Sequence, residues 1–186
     1  AAAAAGGDPA GRGTLFEQAF QALKNQPASI FRLKPGEALY TTIFMGEMAH
    51  DAGGPYRESW AQMAAELMAG RPPLFQKCPN AAHGVGANRE KMLPVPDVPG
   101  GLVTSRTGTD PAPPPPPPLG AGARRARLRF LGRLMGAAAR SRQPLALDLP
   151  PLLWRRLAGQ PVGREELEGV DLALVRGLAQ LRAWPC

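Results

Sequence analysis

The sequence predicts an α+β fold that is mostly helical and contains one small β-hairpin. A chain of 186 residues with 44% apolar residues can bury the core of one domain, but not of two full ones. Several stretches repeat apolar residues at helical spacing, whereas one pair of short runs has the character of strands. The 22 prolines and 22 glycines indicate long irregular connections between these elements.

A capped helix and the predicted hairpin occupy the first part of the chain. Thr14 and Glu17 have the spacing of a capping box, in which each side chain satisfies a free backbone donor. Two strand-like runs follow, over residues 30–34 and 39–45. Pro35-Gly36 between them suits a type II turn, because glycine accepts the positive φ at the second central position.

A second helix follows the hairpin. Asp51-Ala52-Gly53-Gly54 breaks the second strand-like run, and Pro55 suits the first turn of a helix, where no amide proton is needed. The apolar residues of this helix form one stripe. They are Trp60, Met63, Ala64, Leu67 and Met68. Residues 74–99 are predicted to be irregular.

A longer helix is predicted after a proline-rich stretch. One face of this helix carries Leu128, Leu131, Leu134, Met135 and Ala138 and is expected to meet a core. Gly132 and Gly136 weaken this helix by about 1 kcal/mol each relative to alanine. We therefore expect the two glycines to permit the close approach of a neighbouring helix.

Three shorter helices end the chain. Residues 151–157 and 164–168 predict the first two, and residues 172–181, capped by Asp171, predict the third. Four apolar residues of the third helix are expected to turn inward. They are Leu174, Val175, Leu178 and Leu181.

Residues 100–123 are predicted to form a disordered linker rich in proline and glycine. Its six consecutive prolines, 113–118, favour a stiff polyproline II rod. Such a rod either separates its flanking segments or docks into the aromatic groove of a proline-recognition domain. Only Arg106 and Arg124 flank it at a distance, which favours a plain linker.

Positive charge is concentrated after this linker. The chain has 22 basic and 15 acidic residues and a net charge of +7. Seven arginines lie within residues 124–142, and no acidic residue occurs between Asp110 and Asp148. A basic stretch of this kind is typical of nucleic-acid binding. However, few aromatic residues accompany it and the arginines share a helix with an apolar stripe, so a solvated helix face is favoured and nucleic acid is not expected as a partner.

The residues predict no catalytic, cofactor-binding or metal-binding site. Cys78 and His83 lack an acid that would orient the pair, so an ordinary loop thiol is favoured over a nucleophile. His50 beside Asp51 fits a strand-end turn better than an acid–base pair. The cysteines and histidines lack the spacing of a zinc site, and residues 51–55 lack the Gly-Lys-Ser/Thr of a phosphate loop.

We expect an intracellular protein, in the cytoplasm or the nucleus. Cys78 and Cys186 set no disulfide framework, which is typical of a reducing compartment. Residues 1–7 lack the charged start and apolar core of a secretory signal. No apolar run reaches the length of about 18 residues that a membrane span requires.

Several short motifs occur together in a fixed order. They are Gly46-Glu47, Asp51-Ala52-Gly53-Gly54, Arg57-Glu58, the stretch Arg129-Phe130-Leu131-Gly132-Arg133 followed by Gly136-Ala137, the turn at 157–162, and the acidic segment 166–171. In this order and spacing they resemble the amino-terminal lobe of a HECT-type ubiquitin ligase. The form Gly-Ala-Asn-Arg-Glu at 86–90 is similar to the giant multidomain members of that family.

The resemblance implies a ubiquitin-protein transferase whose partners are ubiquitin and a ubiquitin-conjugating enzyme. In this family a cysteine in a Thr-Cys setting of the carboxyl-terminal lobe carries ubiquitin as a thioester and passes it to a substrate lysine. That lobe is not expected within these residues, because Cys186 follows Trp184-Pro185 and matches no such motif. The chain is therefore expected to be a truncated scaffold that is inactive alone.

The chain is predicted to consist of four segments. They are a low-complexity start at 1–13, a first part of the lobe at 14–99, the linker at 100–123, and a second, truncated part at 124–186. The proline-rich stretch is either an insertion into the family pattern or an error in the reading of the gene. The alternative hypothesis is a non-catalytic interaction module, whose polyproline rod and basic helix bind proline-recognition domains or nucleic acid.

Overall fold

The fold is α+β and mostly helical, as predicted. The computed structural model describes residues 13–42, 54–96 and 119–184. The helices are α1 (Leu15–Leu23), α2 (Gly54–Met68), α3 (Pro79–His83), α4 (Ala121–Ser141), α5 (Pro151–Leu157), α6 (Arg164–Glu168) and α7 (Leu172–Arg182). A 3-10 helix spans Ala28–Phe31, and two strands, β1 (Phe75–Lys77) and β2 (Met92–Pro94), form an antiparallel sheet. None of these helices combines the length and the apolar character that crossing a bilayer requires.

Several predicted features lie outside the described residues. They are the low-complexity start up to residue 12, the end of the second strand-like run, Gly46-Glu47, His50, the turn at 51–53, the proline run at 113–118, and Cys186.

The chain forms two compact units, and each is assembled from two separate stretches. Unit 1 comprises residues 1–74 and 114–147, and unit 2 comprises residues 75–113 and 148–186. Helices α1, α2 and α4 therefore belong to unit 1, whereas the sheet and the remaining helices belong to unit 2.

Two side chains hold the start of α1. Thr14 Oγ1 accepts a hydrogen bond from the amide of Glu17 at 3.2 Å, which confirms Thr14 as the capping residue. The carboxylate of Glu66, on α2, accepts hydrogen bonds from the amides of Leu15 and Phe16, each at 3.1 Å. The first amides of a helix have no partner within it, and the positive end of the helix dipole favours an anion. Glu66 therefore ties α1 to α2.

Phe130 of α4 lies at the centre of the unit 1 core. The ring centroids of Phe16 and Phe20, both on α1, lie 5.6 Å from that of Phe130. Phe31 of the 3-10 helix lies 6.1 Å away, and all three contacts are edge-to-face. This arrangement matches the positive ring edge to the negative ring face. One ring thus joins three elements.

A buried ion pair borders this cluster. Glu17 is 4% exposed, and its carboxylate accepts hydrogen bonds from Nε and Nη2 of Arg127 at 2.8 and 2.7 Å. The guanidinium of Arg127 also lies 4.7 Å from the ring centroid of Phe20. Because two donors meet two acceptors, the pair fixes the orientation of α4 against α1 as well as its distance.

The arginines of α4 were predicted to form a solvated helix face, and only some of them are exposed. Arg125, Arg129 and Arg133 are exposed. In contrast, Arg124 is 8% exposed and donates to the carbonyl of Leu119, and Arg127 forms the ion pair with Glu17. The prediction was wrong for these two positions because both lie where α4 begins to face its own unit.

The predicted hairpin is wrong in its position. Residues 28–31 form a 3-10 helix that carries Phe31 into the core, and no strand occurs in residues 32–42. The two strands lie instead within the segment that was predicted to be irregular. There β1 and β2 pair with Gln76 opposite Leu93, and the amide of Met92 donates to the carbonyl of Asp148 at 2.9 Å.

The helices after α4 match their predicted limits closely. Helices α5 and α6 begin and end where expected, and α7 ends at Arg182, one residue beyond the predicted 172–181. Asp171 Oδ1 accepts a hydrogen bond from the amide of Leu174 at 2.9 Å, which confirms the predicted cap. Gly159, at a φ of +69°, follows α5 in the left-handed conformation that favours glycine.

The predicted role of Gly132 and Gly136 is wrong. Both glycines are exposed on α4, and a β-carbon added at either position meets no atom within 4 Å among the described residues. No described neighbouring helix makes a close approach there. The two glycines therefore lower the helical propensity of α4 without a packing gain among the described residues.

Replacing either glycine by alanine is expected to stabilise unit 1. Gly132→Ala and Gly136→Ala should each raise the free energy of unfolding by about 0.5–1 kcal/mol, because alanine loses less backbone entropy in a helix. Urea denaturation followed by circular dichroism measures the change. Ala137→Gly is the matched control: Ala137 is fully buried on the same helix, so this variant should lose about 1 kcal/mol or more. If the two alanine variants lost stability instead, the conclusion that Gly132 and Gly136 face open space would be wrong.

Candidate functional site

Cys78 is a structural residue of unit 2. It precedes α3 as its capping residue and is 1% exposed. Burial raises the pKa of its thiol from 9.0 to about 11, and the negative charge of Glu90 adds to this effect. At pH 7 the nucleophilic thiolate is thus about a hundredfold scarcer than in an ordinary cysteine. The pKa shift and the burial both oppose nucleophilic chemistry.

His83 lies at the other end of α3 from Cys78. It is the last residue of that helix and is exposed, whereas Cys78 is buried before the first turn. Among the described residues, no group of three or more histidine, cysteine, aspartate or glutamate side chains could hold a metal ion.

Asn80 is the main polar anchor of unit 2. It is fully buried, and its Nδ2 donates to the carbonyls of Ala87 and Glu168, each at 3.0 Å. Its Oδ1 accepts from the amide of Leu172 at 2.7 Å, and its own amide donates to the carbonyl of Val170 at 3.0 Å. One side chain therefore joins α3, the segment after it, and the turn between α6 and α7.

Gly86 leaves room for this anchor. It has a φ of +68°, and a β-carbon added there would lie 2.6 Å from Asn80 Nδ2. No sequence signal indicates this contact, because an asparagine after a proline is typical of a turn and shows no periodicity. The nearby Asn88 also holds a distant backbone group, but through one hydrogen bond: its Nδ2 donates to the carbonyl of Gly169 at 2.9 Å.

The α7 apolar face is an exposed row of large side chains. Leu174, Leu178 and Leu181 are 48%, 46% and 66% exposed, and Trp184 just beyond the helix is 74% exposed. The prediction that the three leucines turn inward is therefore wrong, and only Val175 of that set is buried. The leucines recur at i, i+4 and i+7, so they form one stripe on the side of α7 that faces away from its unit.

Exposed apolar side chains also occur on α5. Trp154 is 42% and Leu157 is 62% exposed, although Trp154 Nε1 donates to the carbonyl of Leu149 at 3.1 Å. Among the described residues, the large exposed hydrophobic side chains all belong to unit 2. Exposed apolar stripes such as that of α7 mark interaction sites more often than isolated exposed leucines do.

Removal of the Asn80 side chain is expected to destabilise unit 2 strongly. Asn80→Ala removes the partner of three partly buried backbone groups, at about 1 kcal/mol each. The expected loss is about 3 kcal/mol or more in urea denaturation. Asn88→Gly is the control, because it removes one hydrogen bond and tolerates the φ of 54° at that position. Equal losses in the two variants would contradict the anchoring role of Asn80.

Alkylation kinetics test whether Cys78 is buried and has a raised pKa. In a Cys186→Ser variant, Cys78 should react with iodoacetamide at pH 8 at least about a hundredfold more slowly in the folded chain than in urea. The rate should rise with pH up to about 11, since the raised pKa delays thiolate formation. A folded-state rate that levels off near pH 9 would show an ordinary thiol.

Comparison with known proteins identifies the family. The HECT-domain (ubiquitin-transferase) family model matches residues 71–185, which is more than half of the chain. The human E3 ubiquitin-protein ligase HERC2 is 34% identical over 139 residues, which are 75% of this chain and 2% of HERC2. The human probable E3 ubiquitin-protein ligase HECTD4 is 30% identical over 169 residues, which are 88% of this chain and 4% of HECTD4.

A more distant relative comes from Plasmodium falciparum. This putative E3 ubiquitin-protein ligase is 29% identical over 90 residues, which are 43% of this chain and 1% of that protein. The chain thus spans only a few per cent of the length of the curated relatives it matches. No solved structure matches it at a significant level. The matched residues, which include every element from β1 to α7, place this chain in the HECT-domain family of ubiquitin transferases.

Proposed function

We propose that this chain is the amino-terminal-lobe part of a HECT ubiquitin ligase and acts as its scaffold. The HECT family match over residues 71–185 carries this proposal. In the proposed reaction, a cysteine thiolate outside this chain attacks the thioester carbonyl of ubiquitin on a conjugating enzyme, and the conjugating-enzyme thiol leaves. A substrate lysine amine then attacks the new thioester and forms the amide bond, releasing the cysteine.

The chemistry of Cys78 supports a scaffold role. A thiol that accepts ubiquitin must be accessible and must ionise readily, because the thiolate is the nucleophile. Cys78 is 1% exposed and its pKa is raised to about 11, so it meets neither requirement. The part played by the described residues would then be to hold surfaces in place for other parts of the ligase.

The α7 apolar face supports the same proposal. Leu174, Leu178 and Leu181 leave about half or more of their surface exposed to water, which lowers solubility. In a longer ligase, further residues of the HECT domain would cover this stripe. The relatives are far longer than the matched region, which is consistent with such a neighbour.

A thioester assay tests the proposed function. The 186-residue chain, mixed with a ubiquitin-charged conjugating enzyme, is expected to form no ubiquitin adduct that a reductant removes. The measurement is a non-reducing gel with and without dithiothreitol, and a complete HECT domain serves as the positive control. An adduct on this chain that disappears in Cys78→Ser or Cys186→Ser would overturn the scaffold role.

A further inference from the structure

A groove in unit 1 is lined by two arginines whose guanidiniums pair with no described residue. It runs between the first turn of α2 and the carboxyl end of α4, with residues 36–38 at its lip, and has a volume of about 680 Å³. Arg57 of α2 and Arg142 of α4 both line it, together with Gln143. The volume falls in the range of ligand-binding clefts, which is about 300–1,000 Å³.

Arg57 and Arg142 have no partner among the residues that the structure describes. Both are exposed, and neither guanidinium forms a hydrogen bond or an ion pair with a described residue. Arg127 and Arg155, in contrast, are paired: Arg127 binds Glu17, and Arg155 binds Glu166 at 3.0 Å. The two guanidiniums of the groove therefore keep their donors free for an anion.

Arg142 has a backbone conformation that favours glycine. Arg142 caps α4 in the left-handed conformation, with a φ of 59° and a ψ of 33°. Glycine is favoured at such a position, because a β-carbon crowds the following carbonyl. An arginine is thus unfavourable for the backbone there, although its charge suits the carboxyl end of a helix, and its side chain lines the groove.

The start of α2 adds to the positive potential of the groove. Tyr56 and Arg57 lie in its first turn, and that turn contains no acidic residue. The partial positive charge of a helix amino terminus is therefore not offset by a side chain of the same turn. The carboxyl end of α4, which also borders the groove, carries the opposite partial charge, so the attraction for an anion comes mainly from the two guanidiniums.

The remaining walls select a peptide carboxylate over a phosphate. Glu37 also lines the groove, so its three charged side chains carry a net charge of +1, which suits one carboxylate better than a doubly charged phosphate. Ala61 and the ring of Tyr56 provide apolar wall, and the amide of Gln143 can pair with a peptide backbone. The groove is also much larger than an inorganic anion.

We propose that this groove binds a peptide segment through a glutamate or aspartate carboxylate held between Arg57 and Arg142. Arginine suits this role because its planar fork meets both oxygens of a carboxylate. The site lies in unit 1 and is independent of the thiol chemistry discussed above.

Titration with matched peptides tests the proposal. The probes are acetyl-Ala-Glu-Ala-amide, acetyl-Ala-Gln-Ala-amide and inorganic phosphate, each added to the nitrogen-15-labelled 186-residue chain. The glutamate peptide should produce saturable shifts at the amides of Gly36, Ala61 and Gln143. The glutamine peptide should produce none, and phosphate should require a higher concentration. Equal shifts with the glutamine peptide, or tighter binding of phosphate, would overturn the proposal.

Two arginine variants separate binding from folding. Arg142→Gly should weaken binding of the glutamate peptide about tenfold while leaving the melting temperature unchanged or higher, because glycine fits the left-handed backbone. Arg57→Gln should weaken binding to a similar extent. Arg129→Ala, which removes an exposed charge of α4 away from the groove, should leave the affinity unchanged. Unchanged affinity in Arg142→Gly and Arg57→Gln, or an equal loss in Arg129→Ala, would refute the site.

Discussion

Buried polar side chains position the helices of this fold, because most of those helices are too short to persist alone. Helices α3 and α6 have five residues each and α1 has nine. Isolated helices below about 12 residues are marginal in water. Glu66 holds the start of α1, the Glu17–Arg127 pair orients α4, and Asn80 gathers three segments of unit 2. Each of these contacts has a direction, which apolar packing lacks.

Aromatic packing stabilises the same arrangement of helices that these polar contacts orient. Phe130 receives the rings of Phe16, Phe20 and Phe31 at 5.6–6.1 Å, and the side chain of Arg127 closes one edge of the same cluster over Phe20. Such ring pairs contribute about 0.5–1.5 kcal/mol each beyond the area that they bury. The ion pair and the rings therefore reinforce one arrangement of α1 on α4, although they depend on different physical forces.

The sequence predicted the helices whose ends are marked by nearby residues. It did not predict features that depend on contacts between residues far apart in the chain. The caps at Thr14 and Asp171 and the limits of α5 and α6 follow from residues within one turn, and they were predicted correctly. The three-residue strands β1 and β2 are too short for a visible alternation, so nothing in the sequence distinguished them from loop. Likewise, the spacing of Leu174, Leu178 and Leu181 shows that they share a face, but spacing alone does not tell whether that face is covered.

Three features of this chain are unfavourable for the described residues by themselves: the glycines on the outer face of α4, the left-handed backbone of Arg142, and the α7 apolar face. A sequence that served only this fold would place alanine on α4, glycine at the end of α4 and polar residues on α7. Local rules are broken in natural proteins mainly where function requires it. The three features lie on surfaces that the described residues leave open. The proposed scaffold role would account for all of them, because contact with other parts of a ligase would offset costs that neither unit recovers internally.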